Sequence, residues 1–242
     1  MTGQTARRFW LVTSAAVVGI AATLALGAWQ MSRAAQKLAL HASIEQRQAM
    51  PPVSQRDLLA SRKGADLLHR IVVLRGTWVG QRTVFLDNRQ MQGKVGFFVV
   101  TPLRLEGTDA AVLVERGWVQ RNFMEREKLP AISTSAGVVE LRGRLAPPPA
   151  KLYDFAGAAP GPIRQNLDLA QFRAETGLPL LDFAVQQIGG PSEGLLRDWP
   201  EPASGVETNY GYAAQWWALS ILIAILYVWF QFIAPRRKVP NA

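Results

Sequence analysis

The sequence is poor in the residues on which most catalytic and metal centres depend. It has no cysteine among its 242 residues and only two histidines, His41 and His69. The lack of cysteine excludes disulfides, thiolate metal sites and cysteine nucleophiles. Two histidines and five scattered methionines also exclude a histidine-rich metal site and the clustered ligands of a copper carrier. Because Walker and Gly-x-Ser-x-Gly motifs are missing too, we expect a protein that is not an enzyme, with no metal site.

Charged residues are few and unevenly placed. They make up 19% of the chain, against 49% apolar residues. All 18 acidic residues lie between Glu45 and Glu207, whereas seven of the 27 basic residues lie outside that segment. The middle of the chain is therefore nearly neutral, although the whole chain carries a net charge of +9. A neutral middle lacks the basic patch of a nucleic-acid-binding protein, so we expect no nucleic-acid partner.

Two uncharged apolar runs, at residues 9–29 and 212–233, predict transmembrane helices. Each is long enough to cross about 30 Å of hydrocarbon at 1.5 Å per residue. Aromatic residues lie at both ends of the runs, as in the aromatic belts of membrane proteins. The tails 1–8 and 234–242 carry basic residues, which the positive-inside rule places in the cytoplasm. Residues 30–211 then form a domain on the outer side.

The first run is open to a second interpretation, as a cleaved signal peptide. Its apolar stretch is longer than the usual apolar region of such peptides, and no good cleavage site precedes Trp29, so an uncleaved anchor is favoured. The eight residues before the run leave no room for a mitochondrial presequence. We therefore expect a multi-pass protein of a bacterial cell inner membrane, with its large domain in the periplasm and the lipid bilayer as a partner.

Small residues recur at a spacing of four along both runs. They are Ala15, Gly19, Thr23 and Gly27 in the first run, and Ala214 with Ala218 and Ser220 with Ala224 in the second. Such spacing lets helix backbones approach closely in lipid. Two alternatives stay open at this point. The faces pack on each other, or they pack on a larger membrane partner.

The outer domain is predicted to be mainly β. A polar helix over 30–48 continues the first span and ends before Pro51-Pro52, and a second helix is predicted over 167–175 with Gly177 as its stop. Strand signals occur at 70–79, 83–87, 95–105, 111–120, 138–145 and 183–188. The predicted fold class is a membrane protein in which two transmembrane helices flank a mainly antiparallel β (α+β) periplasmic domain, built as a sheet or small barrel.

A few side chains suggest particular roles. Asp87-Asn88, followed by Gly93, predicts a hairpin connection, and Trp118 is expected to anchor the core. His41 is expected on the surface of the polar helix and His69 at a strand edge. Arg89 and Arg116 are candidates for holding a carboxylate such as a propionate, because guanidinium binds carboxylates in a bidentate manner.

Several short runs occur together in one order. They are Gly76-Thr77-Trp78, Leu86-Asp87-Asn88-Arg89, Gly96-Phe97 with Thr101-Pro102-Leu103, Arg116-Gly117-Trp118-Val119, Asn166-Leu167-Asp168-Leu169, Gly177-Leu178-Pro179 and Asn209-Tyr210-Gly211-Tyr212 with Gln215-Trp216. With the two-helix topology, this ordered set resembles the surfeit locus protein 1 family over nearly the whole chain. The resemblance implies a membrane-anchored assembly factor for haem–copper cytochrome c oxidase. The expected partners are oxidase subunit I or other assembly factors.

The resemblance also implies a possible cofactor, since some bacterial members are reported to bind haem a and to help place it in subunit I. Members proposed to ligate haem carry a histidine near the outer start of the second span, where this sequence has Asn209. Imidazole is the usual iron ligand and a carboxamide is a poor one. The candidate haem contacts are then His41 as a ligand, Arg33 for a propionate, and Asn209, Tyr212 and Trp216 around the macrocycle.

Two alternatives to an assembly factor remain from the sequence. One is an accessory structural subunit that stays in a finished respiratory complex. The other is a periplasmic enzyme tethered by two helices, which would require a convergent polar site. The sequence contains no such constellation that we can recognise.

Overall fold

The computed structural model describes residues 3–61, 64–125, 128–150, 152, 161–200 and 205–235. They belong to two compact units, one formed by residues 1–43 with 201–242 and the other by residues 44–200. The first unit is a pair of helices and the second is a β domain. The basic residues predicted for the carboxyl-terminal tail, Arg236, Arg237 and Lys238, lie outside the described residues.

The helix pair contains both predicted spans. Helix α1 runs without interruption over Gly3–Ala49, and α4 runs over Val206–Val228 and continues as a π-helix, Trp229–Ile233. Segments of both are long and apolar enough to cross a membrane, at Ala6–Ala49 and Val206–Ile233. Helix α1 ends one residue before Pro51-Pro52, as predicted, because proline lacks an N–H and disfavours a helical residue before it. The chain therefore has two candidate membrane-spanning helices, in agreement with the two predicted spans.

The two helices pack on each other through part of the small-residue face. Gly19 faces Ile223, Gly27 faces Trp217, and the Thr13 and Tyr227 hydroxyls lie 2.9 Å apart. Thr23 and Ser220 are buried. For these residues the structure supports the first alternative, a contact between the two helices. The uniform spacing of four does not describe the whole face, because Ala15, Ala214 and Ala218 are exposed.

The contact face of α1 instead follows alternating steps of three and four residues. Its buried and half-buried positions include 13, 16, 20, 23, 27, 30, 34, 37 and 41. This alternation averages 3.5 residues and is the pattern of a coiled-coil seam, which keeps one face toward a partner helix over many turns. It extends the helix contact well beyond the charge-free run.

The β domain is a seven-stranded mixed sheet closed on itself. The strands are β1 Ile71–Trp78, β2 Val84–Met91, β3 Lys94–Leu105, β4 Ala111–Gln120, β5 Val138–Ala146, β6 Ile163–Arg164 and β7 Leu180–Gln187. Their order is β1-β5-β7-β4-β3-β2-β6, and β1 also pairs with β3, so five strands close into a barrel. The β4–β7 and β2–β6 pairs are parallel and the others are antiparallel. A mainly antiparallel small barrel is thus confirmed.

Two short helices complete the β domain. Helix α2 spans Gln55–Ala60 and was not predicted, nor was strand β6. Helix α3 spans Leu169–Thr176 and lies where a helix was predicted. The Asp168 carboxylate accepts from the Ala170 and Gln171 amides, and Gly177 ends the helix in the left-handed conformation.

The predicted hairpin connection at Asp87-Asn88 is wrong. Strand β2 continues through both residues, and a register shift between Leu86 and Arg89 accommodates them as a bulge. Asn88 has a φ of 58°, and the Asp87 side chain accepts its amide N–H at 2.7 Å. The turn that joins β2 to β3 is Gln92-Gly93, with φ values of 50° and 72°. Two successive left-handed residues are typical of a two-residue hairpin turn.

The core of the β domain has apolar clusters on both faces of the sheet. One fills the barrel and includes Val72, Leu74, Leu103, Val112 and Val185. Another joins the sheet to α3 through Phe172. Trp118 is 2% exposed and donates its indole N–H to the Arg89 carbonyl at 2.9 Å, so the prediction of a core anchor is confirmed.

Candidate functional site

Three polar side chains link the two helices beside the predicted spans. We call this cluster, Gln30, Lys37 and Asn209, the polar end of the helix pair. The Asn209 amide donates to Gln30 Oε1 at 2.7 Å, and Lys37 Nζ donates to Asn209 Oδ1 at 2.8 Å. Lys37 Nζ also lies 3.4 Å from the Gly205 carbonyl. Gln30 and Lys37 are seven residues apart, two turns along one helix face, so both point toward α4.

The other candidate haem contacts differ in how exposed they are. His41 is half-buried one turn beyond Lys37 on α1. Arg33 is exposed and donates to Gln36 Oε1 at 3.2 Å. Tyr212 is 50% exposed, and Trp216 is half-buried. Sequence reasoning singled out Asn209 but missed Gln30 and Lys37, although their spacing of seven residues was a readable signal.

The Asn209 side chain does not fit as a ligand of haem iron. Its carboxamide has a partner on both sides, and the partner of its oxygen is an ammonium group, which competes with any metal for that lone pair. Haem iron in proteins is held by imidazole, thiolate, thioether or phenolate, and His41 contributes the one imidazole of this unit. The structure gives Asn209 a role in holding the two helices together.

Arg116 occupies one end of the barrel core and is completely buried. Its guanidinium lies 4.7 Å from the Trp78 ring centre and donates to Thr134 Oγ1 at 2.8 Å and to the Ser133 carbonyl at 2.7 Å. It also pairs with Glu193 at 2.8 Å. The carboxylate that Arg116 holds in the structure is therefore one of the chain's own.

Arg89 is also engaged within the β domain. It donates to the Ala150 and Gln165 carbonyls at 2.8 and 3.1 Å. Nearby, the buried Glu115 accepts from Gln186 at 2.9 Å, and its removal from water raises the pKa of its carboxyl. Burial also disfavours the charged form of Arg89, and it therefore lowers the pKa of that side chain. Both arginines that were candidates for an external carboxylate thus have internal partners.

The remaining motif residues build the frame of the barrel. A Cβ at Gly76 would lie 2.2 Å from the Arg104 carbonyl oxygen, and one at Gly117 would lie 2.7 Å from Leu195 Cβ. Glycine is therefore needed at both positions for two chain segments to meet. The Asp87 carboxylate pairs with Arg121 at 3.2 Å. Gln215 is exposed on α4 and belongs to the other unit.

His69 lies in the turn two residues before β1, next to the strand edge where it was expected. It has a φ of 70°, and its amide donates to the Leu145 carbonyl at 2.7 Å. Burial, together with Arg144 and Arg47, lowers the pKa of its imidazole. Among the described residues there is no group of three or more His, Cys, Asp or Glu side chains that could hold a metal ion.

Comparisons with known proteins agree with the order of motifs in the chain. Residues 17–221 match the SURF1 family model. A SURF1-like protein of Drosophila melanogaster is 28% identical over 89% of this chain and 75% of its own length. One from Rickettsia felis is 25% identical over 85% of this chain and 90% of its own length. The cytochrome oxidase assembly protein SHY1 of Saccharomyces cerevisiae is 31% identical over 39% of this chain, an alignment that spans 24% of the yeast protein.

Proposed function

Because the chain belongs to the SURF1 family, we propose that it assists the assembly of a haem–copper cytochrome c oxidase in the membrane. The observation that carries the proposal is the family match over residues 17–221, which runs from the first apolar helix through the β domain into the second. The yeast relative is named for oxidase assembly, which supports the same role.

The proposed client is oxidase subunit I during its maturation, alone or with other assembly factors. Much of the helix pair is apolar and exposed, including Val18, Leu222 and Ile225, and these faces offer contacts to helices of a membrane client. The β domain holds its buried arginines with its own acceptors. These features favour binding and shielding of an intermediate over chemistry on it.

For haem a, we propose protection of subunit I while it receives the cofactor, without iron ligation at Asn209. The support is the pairing of the Asn209 carboxamide with Gln30 and Lys37. This separates the proposed assembly role from haem binding by the chain itself. The two can therefore be tested independently.

The proposed location is a bacterial cell inner membrane, with residues 30–211 in the periplasm and both tails in the cytoplasm. The basic tails of the sequence and the bacterial relative support it. Reporter fusions at Ala150 and at Ala242 test it. The reporters should be active in opposite compartments, and activity in the same compartment would contradict the topology.

The assembly role is tested by purifying oxidase complexes from cells that carry a tagged copy of the chain. We expect the chain in complexes that contain immature subunit I and not in the finished oxidase. A stoichiometric amount in the finished oxidase would instead identify an accessory structural subunit. Its absence from every oxidase complex, after mild crosslinking, would contradict both roles.

A further inference from the structure

Two large apolar side chains protrude side by side from the segment that follows β4. Phe123 is 64% exposed and Met124 is 92% exposed, the highest value for a large apolar side chain among the described residues. We call Phe123 and Met124 the apolar tip. Single exposed apolar residues are normal on a protein surface. An adjacent pair that contributes nothing to the core needs a further reason.

The apolar tip is held in a defined shape. The Asn122 side-chain oxygen accepts from the amides of Met124 and Glu125 at 2.9 and 3.2 Å, which fixes the turn at the tip. The Arg121 guanidinium lies 6.0 Å from the Phe123 ring centre, within reach of a cation–π contact. An ordered segment loses less conformational entropy when it binds than a flexible one does.

The side chain of Asp87, on strand β2, anchors this segment to the sheet. Asp87 lies in the β2 bulge and pairs with Arg121 at 3.2 Å, with side-chain exposures of 17% and 14%. The Asp87 carboxylate thus fixes Arg121, which lies two residues before the tip. A bulge re-directs the side chains of its strand, and Asp87 is one of the residues in this bulge.

The charges around the tip favour a protein surface over a bilayer. The sequence from Arg121 to Lys128 contains three basic and two acidic residues. Glu125 follows Met124 directly, and its carboxylate pairs with Lys128 at 3.3 Å. Segments that bind anionic lipid carry clusters of basic residues, and a carboxylate beside the inserted side chains opposes insertion. A rim of both signs around an apolar centre is the usual anatomy of a protein interface.

We propose that the apolar tip docks into an apolar pocket on a protein of the oxidase intermediate, with Glu125 and Lys128 meeting charges at the rim of that pocket. This inference rests on the proposed assembly function and names the surface that carries it out. Phenylalanine and methionine suit such a role, because aromatic residues and methionine are enriched in interface cores. Asp87 and Arg121 act as positioning residues behind the tip.

The first test complements a deletion strain with three versions of the chain, wild type, a Phe123→Ser/Met124→Ser variant and a Val138→Ser control. Val138 is 53% exposed, so the control also removes exposed apolar surface elsewhere on the domain, although less than the double variant does. All three should accumulate equally with the same thermal midpoint. We expect the double variant to co-purify about tenfold less subunit I than wild type, and the control to match wild type. Equal co-purification by the double variant would overturn the inference.

The second test places a photo-crosslinking amino acid at position 124 of the otherwise unchanged chain. A crosslink to an oxidase subunit is expected. Crosslinks to lipid alone would overturn the inference in favour of a bilayer contact. If deletion of the gene leaves the oxidase unaffected, the assembly function fails. If deletion impairs the oxidase and the double variant repairs it fully, the inference on the tip alone fails.

Discussion

The indole ring of Trp217 on α4 covers Gly27 on α1 so closely that a Cβ at position 27 would lie 2.2 Å from its Nε1 atom. A residue with a side chain therefore fits at position 27 only if the Trp217 ring moves. Gly19, two turns earlier, is less restricted, since a Cβ there would lie 3.5 Å from Ile223 Cδ1, an ordinary contact distance. Of these two glycines, Gly27 is therefore the one whose site has no room for a side chain.

Substitution of Gly27 by valine should weaken the helix pair. The new side chain must displace the Trp217 ring, and overpacking of this kind costs about 1–3 kcal/mol. The thermal midpoint of the full chain in detergent should fall. Gly211→Ala serves as the matched control, because a Cβ at position 211 meets nothing within 4 Å. Equal midpoints for Gly27→Val and wild type would show that the helices do not pack through this face.

Haem binding provides a test of the interpretation of Asn209. Asn209→His supplies an imidazole at the polar end of the helix pair, so haem affinity should rise. Asn209→Ala removes only a carboxamide that already has two protein partners, so affinity should change little. A haem titration in detergent, followed by the Soret band, measures both. If Asn209→Ala abolishes haem binding that the wild type shows, Asn209 belongs to a haem site and this account of it is wrong.

The pH dependence of stability should report on His69. Because its pKa is lowered on folding, the native state binds fewer protons than the unfolded state. The stability that depends on a neutral His69 is fully present above the ordinary histidine pKa of 6.5, and it is lost as the pH falls below that value and through the lowered pKa of the folded state. His69→Asn should flatten this decline, and asparagine tolerates the φ of 70° at this position. An unchanged pH profile of the thermal midpoint would exclude His69 as its source.

Replacement of Arg116 should destabilise the β domain. Arg116→Met keeps much of the side-chain volume but leaves the Thr134, Ser133 and Glu193 partners without their donor. Because Glu193 is 29% exposed and also lies 3.8 Å from Arg197, the cost is below that of a fully buried ion pair, and about 1–3 kcal/mol is expected from the acceptors left without a donor. Arg75→Met is the control, since Arg75 is exposed in its pair with Glu106 and such pairs contribute about 0–1 kcal/mol. Similar urea unfolding midpoints for the two variants would contradict a structural role for Arg116.

Local sequence signals predicted the regular elements well. The uncharged runs gave both apolar helices, the apolar stretch at 111–120 coincides with β4, and Asp168 with Gly177 bounded α3. The prediction of a hairpin connection at Asp87-Asn88 was wrong. These residue types favour turns, but the pairing of β2 with β3 continues past them through a bulge. Local patterns also cannot reveal closure of the barrel through β1 and β3, which pairs Gly76 with Leu105 across the chain.

The functional residues were harder to predict than the elements. Arg89 and Arg116 lie in strands beside apolar residues. The sequence alone does not distinguish an arginine that binds an external carboxylate from one that is paired with acceptors of the same chain. Their acceptors, such as Gln165 and Glu193, come from distant parts of the chain. The partners of Asn209 lie about 170–180 residues away on α1. Only the folded arrangement brings these groups together.

The central claim, a role in oxidase assembly, is tested most directly by measuring cytochrome c oxidase activity and haem a content in membranes of a deletion strain grown under conditions that express the oxidase. We expect both to fall while growth through other respiratory routes continues, and we expect the wild-type gene to restore them. Unchanged activity and haem a content in the deletion strain would contradict the account.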